Sequence, residues 1–287
     1  MVVILVIFQS IAFMYAFYTR IHAPICPLMR NDTRYEKTMS VLTDAQALVF
    51  DTNVENVVTY EDKTKVLADA RMLVKCLEDP EDKSAEGNYY AAGGDPELQM
   101  KLDYLSADSV VFDVGGNKGG FVSFAVNYPA QLHVFEPIKE FYDFLVEKYD
   151  RKAYPNTHFH HWGLDRGDGD SRIVIEGAQG SASSQYRSED VGRGELVHMK
   201  SVSTAMREIG VRQVHMMNIN CEGCEFAIME SIVDAGLVRN FTRIQVQYHP
   251  NVVKDGAVRR CNVRKALMKT HKEEYNFPWI WERWAAV

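Results

Sequence analysis

From about residue 108 onward, short apolar, β-branched runs alternate with stretches whose apolar positions recur every three or four residues. These are the patterns of buried strands and of one-sided helices. "SVVFDVGG" predicts a strand ending in glycines, "GGFVSFAVNY" a helix, "QLHVFEP" a second strand and "KEFYDFLVEKYD" a second helix. "THFHHWGL" predicts a third strand, followed by a polar Gly/Ser-rich loop, a hairpin around "SRIVIEG" and the helix "SVSTAMREIG". The series continues with "HMMNIN" (strand), "EFAIMESIVDAG" (helix), "RIQVQYH" (strand), "VRKALMKTHKE" (helix) and "FPWIWERW" (strand). Strands joined by single helices imply right-handed βαβ crossovers and a mainly parallel sheet of six or seven strands with helices on both faces. The ligand of such a sheet sits beyond the carboxyl ends of its strands.

Upstream the pattern changes. Residues 2–18, "VVILVIFQSIAFMYAFY", contain no charge; as a helix they would extend roughly 25 Å, near the lower limit for crossing a bilayer. The expected reading is an uncleaved anchor, against a cleaved signal peptide or a buried helix. No basic residue precedes the run, and no A-x-A-like site follows it, as a cleaved signal would require. Residues 23–42 read as a stem. Residues 43–94 read as a helical lead-in built on "DAQALVF" and "KTKVLADARMLVKCLE" and broken by "EDPEDKSAEGN". Asp95-Pro96-Glu97 predicts a further helix to about Leu105, with Asp95 as N-cap. This divides the chain into an anchor (1–22), a stem (23–42), a lead-in (43–94) and a main domain (95–287). The expected location is a single-pass protein of the endoplasmic reticulum or Golgi membrane. Its orientation stays open, because Arg20, Arg30, Arg34 and Lys37 favour a cytosolic bulk and the sequons at Asn31 and Asn240 a lumenal one.

The formal charge of -7 leaves no electrostatic footprint for a phosphate backbone, and a nucleic-acid partner is not expected. Five cysteines, at 26, 76, 221, 224 and 261, are too few and too scattered for a disulfide-built scaffold.

The strongest chemical signal is "VFDVGGNKGG", residues 111–120. An acid ends the first strand, and glycines then open the helix, which lets backbone approach a nucleotide-like ligand. The spacing is D-x-G-G-N-x-G and not the G-x-G-x-x-G of a dinucleotide site. Asp113 inside the turn disfavours a pyrophosphate and suits the cationic amino-acid end of S-adenosylmethionine. Glu136 ends the next strand, 23 positions on, where a carboxylate can accept both ribose hydroxyls.

These motifs, with "HWGLDRGDGDS", "NINCEGCEFAIMES" and "YNFPWIWERW", resemble the FkbM-type methyltransferases from about residue 97 to the C-terminus. The resemblance implies the Rossmann-like class I methyltransferase fold, S-adenosylmethionine as cofactor, and O-methylation of a sugar or small-molecule hydroxyl. It implies that Asp113, Gly115, Gly116, Asn117 and Gly119 line the methionine part of the cofactor, that Glu136 with Pro137 holds the ribose, and that Trp162, Gly163 and Leu164 border the adenine. Many family members carry lysine-x-aspartate-x-glutamate-glycine on the fourth strand, where this chain has Asn218, Asn220, Glu222 and Gly223. Asn220 can hydrogen-bond the sulfonium side but cannot take a proton, so Glu222, Glu225 and His249 become the candidate bases. Cys221 and Cys224 are expected to pack as two small residues in a tight turn, with a thiol-redox or metal role as the alternative. "HFHH", residues 158–161, brings at most His158 and His160 to one face of a strand, and no metal is expected. A catalytically silent methyltransferase fold is the runner-up function, favoured by the two asparagines.

Overall fold

The computed structural model describes residues 84–175 and 194–287. The expected anchor, the stem, most of the lead-in and most of the Gly/Ser-rich loop lie outside the described residues. Among the described residues no helix is long and apolar enough to cross a membrane.

Ten strands and six α-helices make up the described residues. Helix α1 (Ser84–Ala91) and a π-helical turn (Asp95–Gln99) lead into β1 (Val110–Val114), α2 (Val122–Ala125), β2 (Gln131–Phe135), α3 (Lys139–Lys148) and β3 (Thr157–His160). Strands β4 (Gly163–Asp165), β5 (Gly169–Ile173) and β6 (Glu195–Ser201) follow, then α4 (Val202–Ile209), β7 (Met216–Ile219), α5 (Cys224–Asp234) and β8 (Arg243–Val246). Helix α6 (Gly256–Leu267) and the strands β9 (His271–Phe277) and β10 (Trp281–Ala286) close the chain.

Seven strands form one sheet in the order β3-β2-β1-β7-β8-β10-β9. Only β10 runs against the rest, antiparallel to both β8 and β9. This is the arrangement expected for the Rossmann-like fold. The chain alternates faces along each strand as the pleat requires. Phe112, Val114, Met217, Ile219 and Ile244 pack with α4, α5 and α6, whereas Val111, Leu132, Val134 and Met216 pack with α2, α3 and the segment Met100–Leu105.

The structure departs from the sequence pattern in four places. The chain leaves the main sheet after His160, and Gly163–Asp165 joins a separate three-stranded sheet, β4-β6-β5. Strand β6 was not expected, although Val197 and Met199 alternate inward along it. Strand β9 begins where the helical pattern of "VRKALMKTHKE" was read as continuing; helix α6 stops at Leu267 without a glycine or proline to mark the stop. Finally, Asp95 is not an N-cap. The cap position falls on Gly94, and Asp95 Oδ1 accepts the Tyr89 hydroxyl at 2.5 Å. Tyr89 also meets Phe277 edge-on at 5.4 Å, so α1 is packed onto β9.

The antiparallel strand is held on the α6 side by a buried ionic cluster. Glu282 Oε2 accepts Arg260 Nε at 3.0 Å and Nη2 at 2.6 Å, and Arg264 Nη1 at 2.7 Å. Its other oxygen takes Trp284 Nε1 at 2.9 Å. Burial would raise the Glu282 pKa, but the two guanidinium groups outweigh it and hold the carboxyl below its ordinary value. Removing one member of such a cluster leaves uncompensated buried charge. Glu282→Ala is therefore expected to destabilise the domain by roughly 3–5 kcal/mol, read as a shift in the urea midpoint at unchanged slope; a loss under about 1 kcal/mol would mean that the cluster contributes no net stability.

Candidate functional site

A cavity of about 620 Å³ opens at the carboxyl ends of β1, β2 and β7. Its floor is the glycine turn after β1, with Asp113 and Glu136 at the strand ends; its walls include Asn220, Cys221 and Glu222 after β7. Tyr89, Asp95 and Gln99 close it from the N-terminal segment, and Trp281 from the final hairpin.

The turn after β1 is fixed by close approach of backbone. Gly115 has φ +86°, and a Cβ there would lie 2.1 Å from the Asn220 carbonyl oxygen. A Cβ on Gly116 would lie 2.5 Å from Val134 Cγ1. Side chains at either position would force β1 and its neighbours apart. The resulting hollow is lined by backbone and by acids. Asp113 is 2% exposed and Glu136 3%. Glu136 Oε2 accepts the Asn117 N–H at 2.7 Å and Oε1 the Ile138 N–H at 2.9 Å, so the carboxylate bridges the two turns and keeps lone pairs for a ligand.

Burial pushes the Asp113 carboxyl up to about 7; the hydrogen bond from Asn218 works against this, and the charge of Glu136 adds to it. Burial also pushes Glu136 up to about 7, against its two backbone hydrogen bonds.

The turn after β7 carries a second polar group. Glu222 and Gly223 both take left-handed backbone, with φ 55° and 115°, and this folds Cys221 back on Cys224, whose Cα atoms are 5.5 Å apart and whose sulfurs form a disulfide. The expectation that the two cysteines merely pack as small residues is thus corrected. Their sulfurs and a Glu225 oxygen lie within 4.8 Å of one another, but a disulfide sulfur is not a thiolate ligand.

Glu225 is fully buried. Its carboxylate accepts the Gly223 N–H at 2.8 Å and the His249 N–H at 2.6 Å, and it lies 3.4 Å from Cys221 Sγ, which as a disulfide sulfur has no proton to donate. It also holds His249 Nδ1 at 2.9 Å, and His249 Nε2 lies 3.3 Å from Glu222 Oε1. Burial alone would lower the His249 pKa, but the hydrogen bond and charge of Glu225, with the charge of Glu222, outweigh it and raise it.

Of the residues singled out in the sequence, Asp113, Gly115, Gly116, Asn117, Glu136, Pro137, Asn220 and Glu222 all line this cavity. Gly119 does not; it packs under Tyr149, whose hydroxyl donates to its carbonyl at 3.4 Å. Trp162, Gly163 and Leu164, expected to border an adenine, are not among the residues that line this cavity. Leu164 is buried in the core, and a Cβ on Gly163 would meet Met199. Trp162 lines a second groove with His133, His158 and His160, because the chain turns out of the main sheet just before it. Pattern reading missed the contributions of Tyr89, Gln99, Gln247 and Trp281, since nothing local marks a residue as facing a cavity formed by distant segments.

No family model matches the chain, and no curated protein is similar to it. Among solved structures, an rRNA methylase from Streptococcus thermophilus aligns at 8% identity over 67% of this chain and 96% of its own, with a TM-score of 0.39. Aeropyrum pernix fibrillarin, in complex with natively bound S-adenosyl-L-methionine, aligns at 11% identity over 65% of this chain and 69% of its own, with a TM-score of 0.37. A TehB-like SAM-dependent methyltransferase from Corynebacterium glutamicum aligns at 8% identity over 71% and 96% of the two chains, with a TM-score of 0.35. Similarities at this level say nothing of this chain's activity.

The raised carboxyls have a consequence for stability. An acid whose folded pKa lies above its unfolded value of about 4 contributes stability that is fully present below pH 4 and is lost as pH rises through about 7. Asp113→Asn mimics the protonated form. Its melting temperature without ligand, relative to the unaltered protein, is expected to rise between about pH 4 and 7 and to level off above that; a difference independent of pH would show that Asp113 is not held protonated by burial.

Proposed function

We propose that the protein is an S-adenosylmethionine-dependent methyltransferase that methylates a hydroxyl on a sugar or small molecule. The observation that carries this reading is the cavity floor, where two buried carboxylates flank a backbone hollow that no side chain fills. The residues fit the cofactor group by group. Asp113 offers a carboxylate to an ammonium, Glu136 offers its remaining lone pairs to ribose hydroxyls, and Gly115 and Gly116 admit the chain between them. A pyrophosphate would meet two acids there and be repelled.

When bound, the cofactor supplies an electrophilic methyl group on a sulfonium centre. This chain's residues then position the acceptor and remove its proton. Glu222, on the cavity wall, takes the hydroxyl proton as the new carbon–oxygen bond forms and the carbon–sulfur bond breaks. His249 faces Glu222 through Nε2 and stabilises its ionised form. Glu225 has no exposed surface and its carboxylate is engaged by the Gly223 and His249 N–H groups, so it orients His249 and does not act as a base. Asn220, lacking an acidic proton or a charge, contributes hydrogen bonds only.

Charged residues lining the cavity are Glu86, Asp95, Asp113, Glu136 and Glu222, against Lys118. That balance favours a neutral or cationic acceptor. RNA, named for one of the structures similar in fold, is the acceptor class against which the same assay discriminates.

Three outcomes are expected. Methyl label from S-adenosylmethionine should enter a glycan or small-molecule fraction in preference to RNA; no transfer to any fraction, with binding intact, would favour a silent fold. Glu136→Ala should weaken cofactor binding by about 1–3 kcal/mol in calorimetry without unfolding. Glu222→Gln should lower single-turnover transfer by roughly 10²–10⁴-fold while binding persists, the range for losing a general base; unchanged transfer would remove Glu222 from that role.

A further inference from the structure

Asp113, Asn218, Gln245 and Arg283 are register partners on four adjacent strands, β1, β7, β8 and β10. Asp113 and Asn218 each sit two residues after a position that packs toward α2 and α3, Val111 and Met216, so the row lies on that face. There it is covered by the end of the π-helical turn: the Leu98 and Gln99 carbonyls accept from Arg283 Nη2, the latter at 2.9 Å. All four side chains are at least nine-tenths buried.

The contacts along the row run in one direction. Arg283 donates to Gln245 Oε1 through Nε at 2.9 Å and Nη2 at 2.6 Å. The Tyr275 hydroxyl donates to the same oxygen at 3.0 Å. Gln245 Nε2 donates to Asn218 Oδ1 at 2.8 Å, and Asn218 Nδ2 donates to Asp113 Oδ1 at 2.8 Å. A guanidinium has donors only, so Gln245 must turn its oxygen to β10 and its nitrogen to β7. Asn218 must then accept from Gln245 and donate to Asp113. With either amide reversed, two donors would face each other in a dry interior, a loss of about 1–3 kcal/mol.

We propose that Arg283, Gln245 and Asn218 are positioning residues for Asp113, forming a directional relay in which a guanidinium three strands away fixes two amides so that an N–H always meets the carboxylate. The relay rests on the methyltransferase reading only for the identity of the ligand that Asp113 meets. It also gives Asn218 a purpose: a residue that both accepts and donates is required at that point, and a lysine could not accept from Gln245. The charged groups that line the cavity together with Asp113 are Glu136 just after β2, Lys118 in the glycine turn, Glu222 after β7, and Glu86 and Asp95 from the N-terminal segment. Burial and the charge of Glu136 oppose its ionisation, and the hydrogen bond from Asn218, at the end of the relay, favours it.

The test is a titration of the full chain, without ligand, by NMR of the Asp113 carboxyl carbon and of the side-chain N–H groups of Asn218, Gln245 and Arg283. In the unaltered protein all four signals should move with one midpoint. Still Gln245 and Arg283 signals through the Asp113 titration would overturn the relay, and that measurement needs no variant. Gln245→Met breaks the row but keeps the Arg283 charge; the Asp113 midpoint should rise by about one pH unit or more, whereas Arg283→Lys should leave it within a few tenths. A purely structural role would lower the melting temperature of Gln245→Met and leave the midpoint in place. S-Adenosylmethionine affinity at pH 7 should fall about fivefold or more in Gln245→Met, as the ionised fraction of Asp113 falls. If the unaltered protein binds no S-adenosylmethionine, the ligand assignment fails, and the titration still decides the relay.

Discussion

The burial of two carboxylates at the ends of β1 and β2 is the constraint on which the rest of the site depends. An acid in a dry interior is costly unless hydrogen bonds or opposite charge compensate it. Glu136 receives two backbone N–H groups, one from each flanking turn. Asp113 receives a single amide, supported by the row that ends at Arg283. Both remain raised toward 7, because the hydrogen bonds they receive do not fully offset burial.

The final hairpin is tied to the rest by opposite chemistry on its two faces. Toward α6, β10 presents Glu282 to Arg260 and Arg264; toward the N-terminal segment it presents Arg283 to the Gln245 oxygen and the Leu98 and Gln99 carbonyls. Adjacent residues on a strand point to opposite sides, and here they carry opposite charge. The strand next to them, β9, is half polar, and its Glu273 and Glu274 meet Arg264 and Arg243. Charge pairing at this end of the sheet runs beside the buried rings of Trp281 and Trp284.

The turn after β7 shows how local strain serves the site. Glu222 occupies left-handed backbone, which is unfavourable for a residue with a Cβ. The disulfide between its neighbours and the Glu225 hydrogen bond to Gly223 hold it there. In that conformation its carboxylate faces both the cavity and His249.

The sequence by itself determined the alternation of elements, the glycine turn with Asp113, Glu136 at the next strand end and the Glu222 turn, because each is a local pattern: a period, a φ-permissive glycine, an acid at a strand end. What it could not determine was where the chain leaves one sheet for another. "THFHHWGL" reads as one strand, yet the break after His160 sends Trp162 to a different groove from the one a nucleotide-like ligand would enter. Helix α6 likewise ends within a run that keeps its helical period, because pairing with β10 outweighs local propensity. The roles of Glu225 and Arg283 belong to the tertiary structure alone. In sequence Glu225 reads as a candidate base at a helix start and Arg283 as an ordinary residue of a terminal strand; only packing makes the one a partner that orients His249 and the other the fixed end of a hydrogen-bond row.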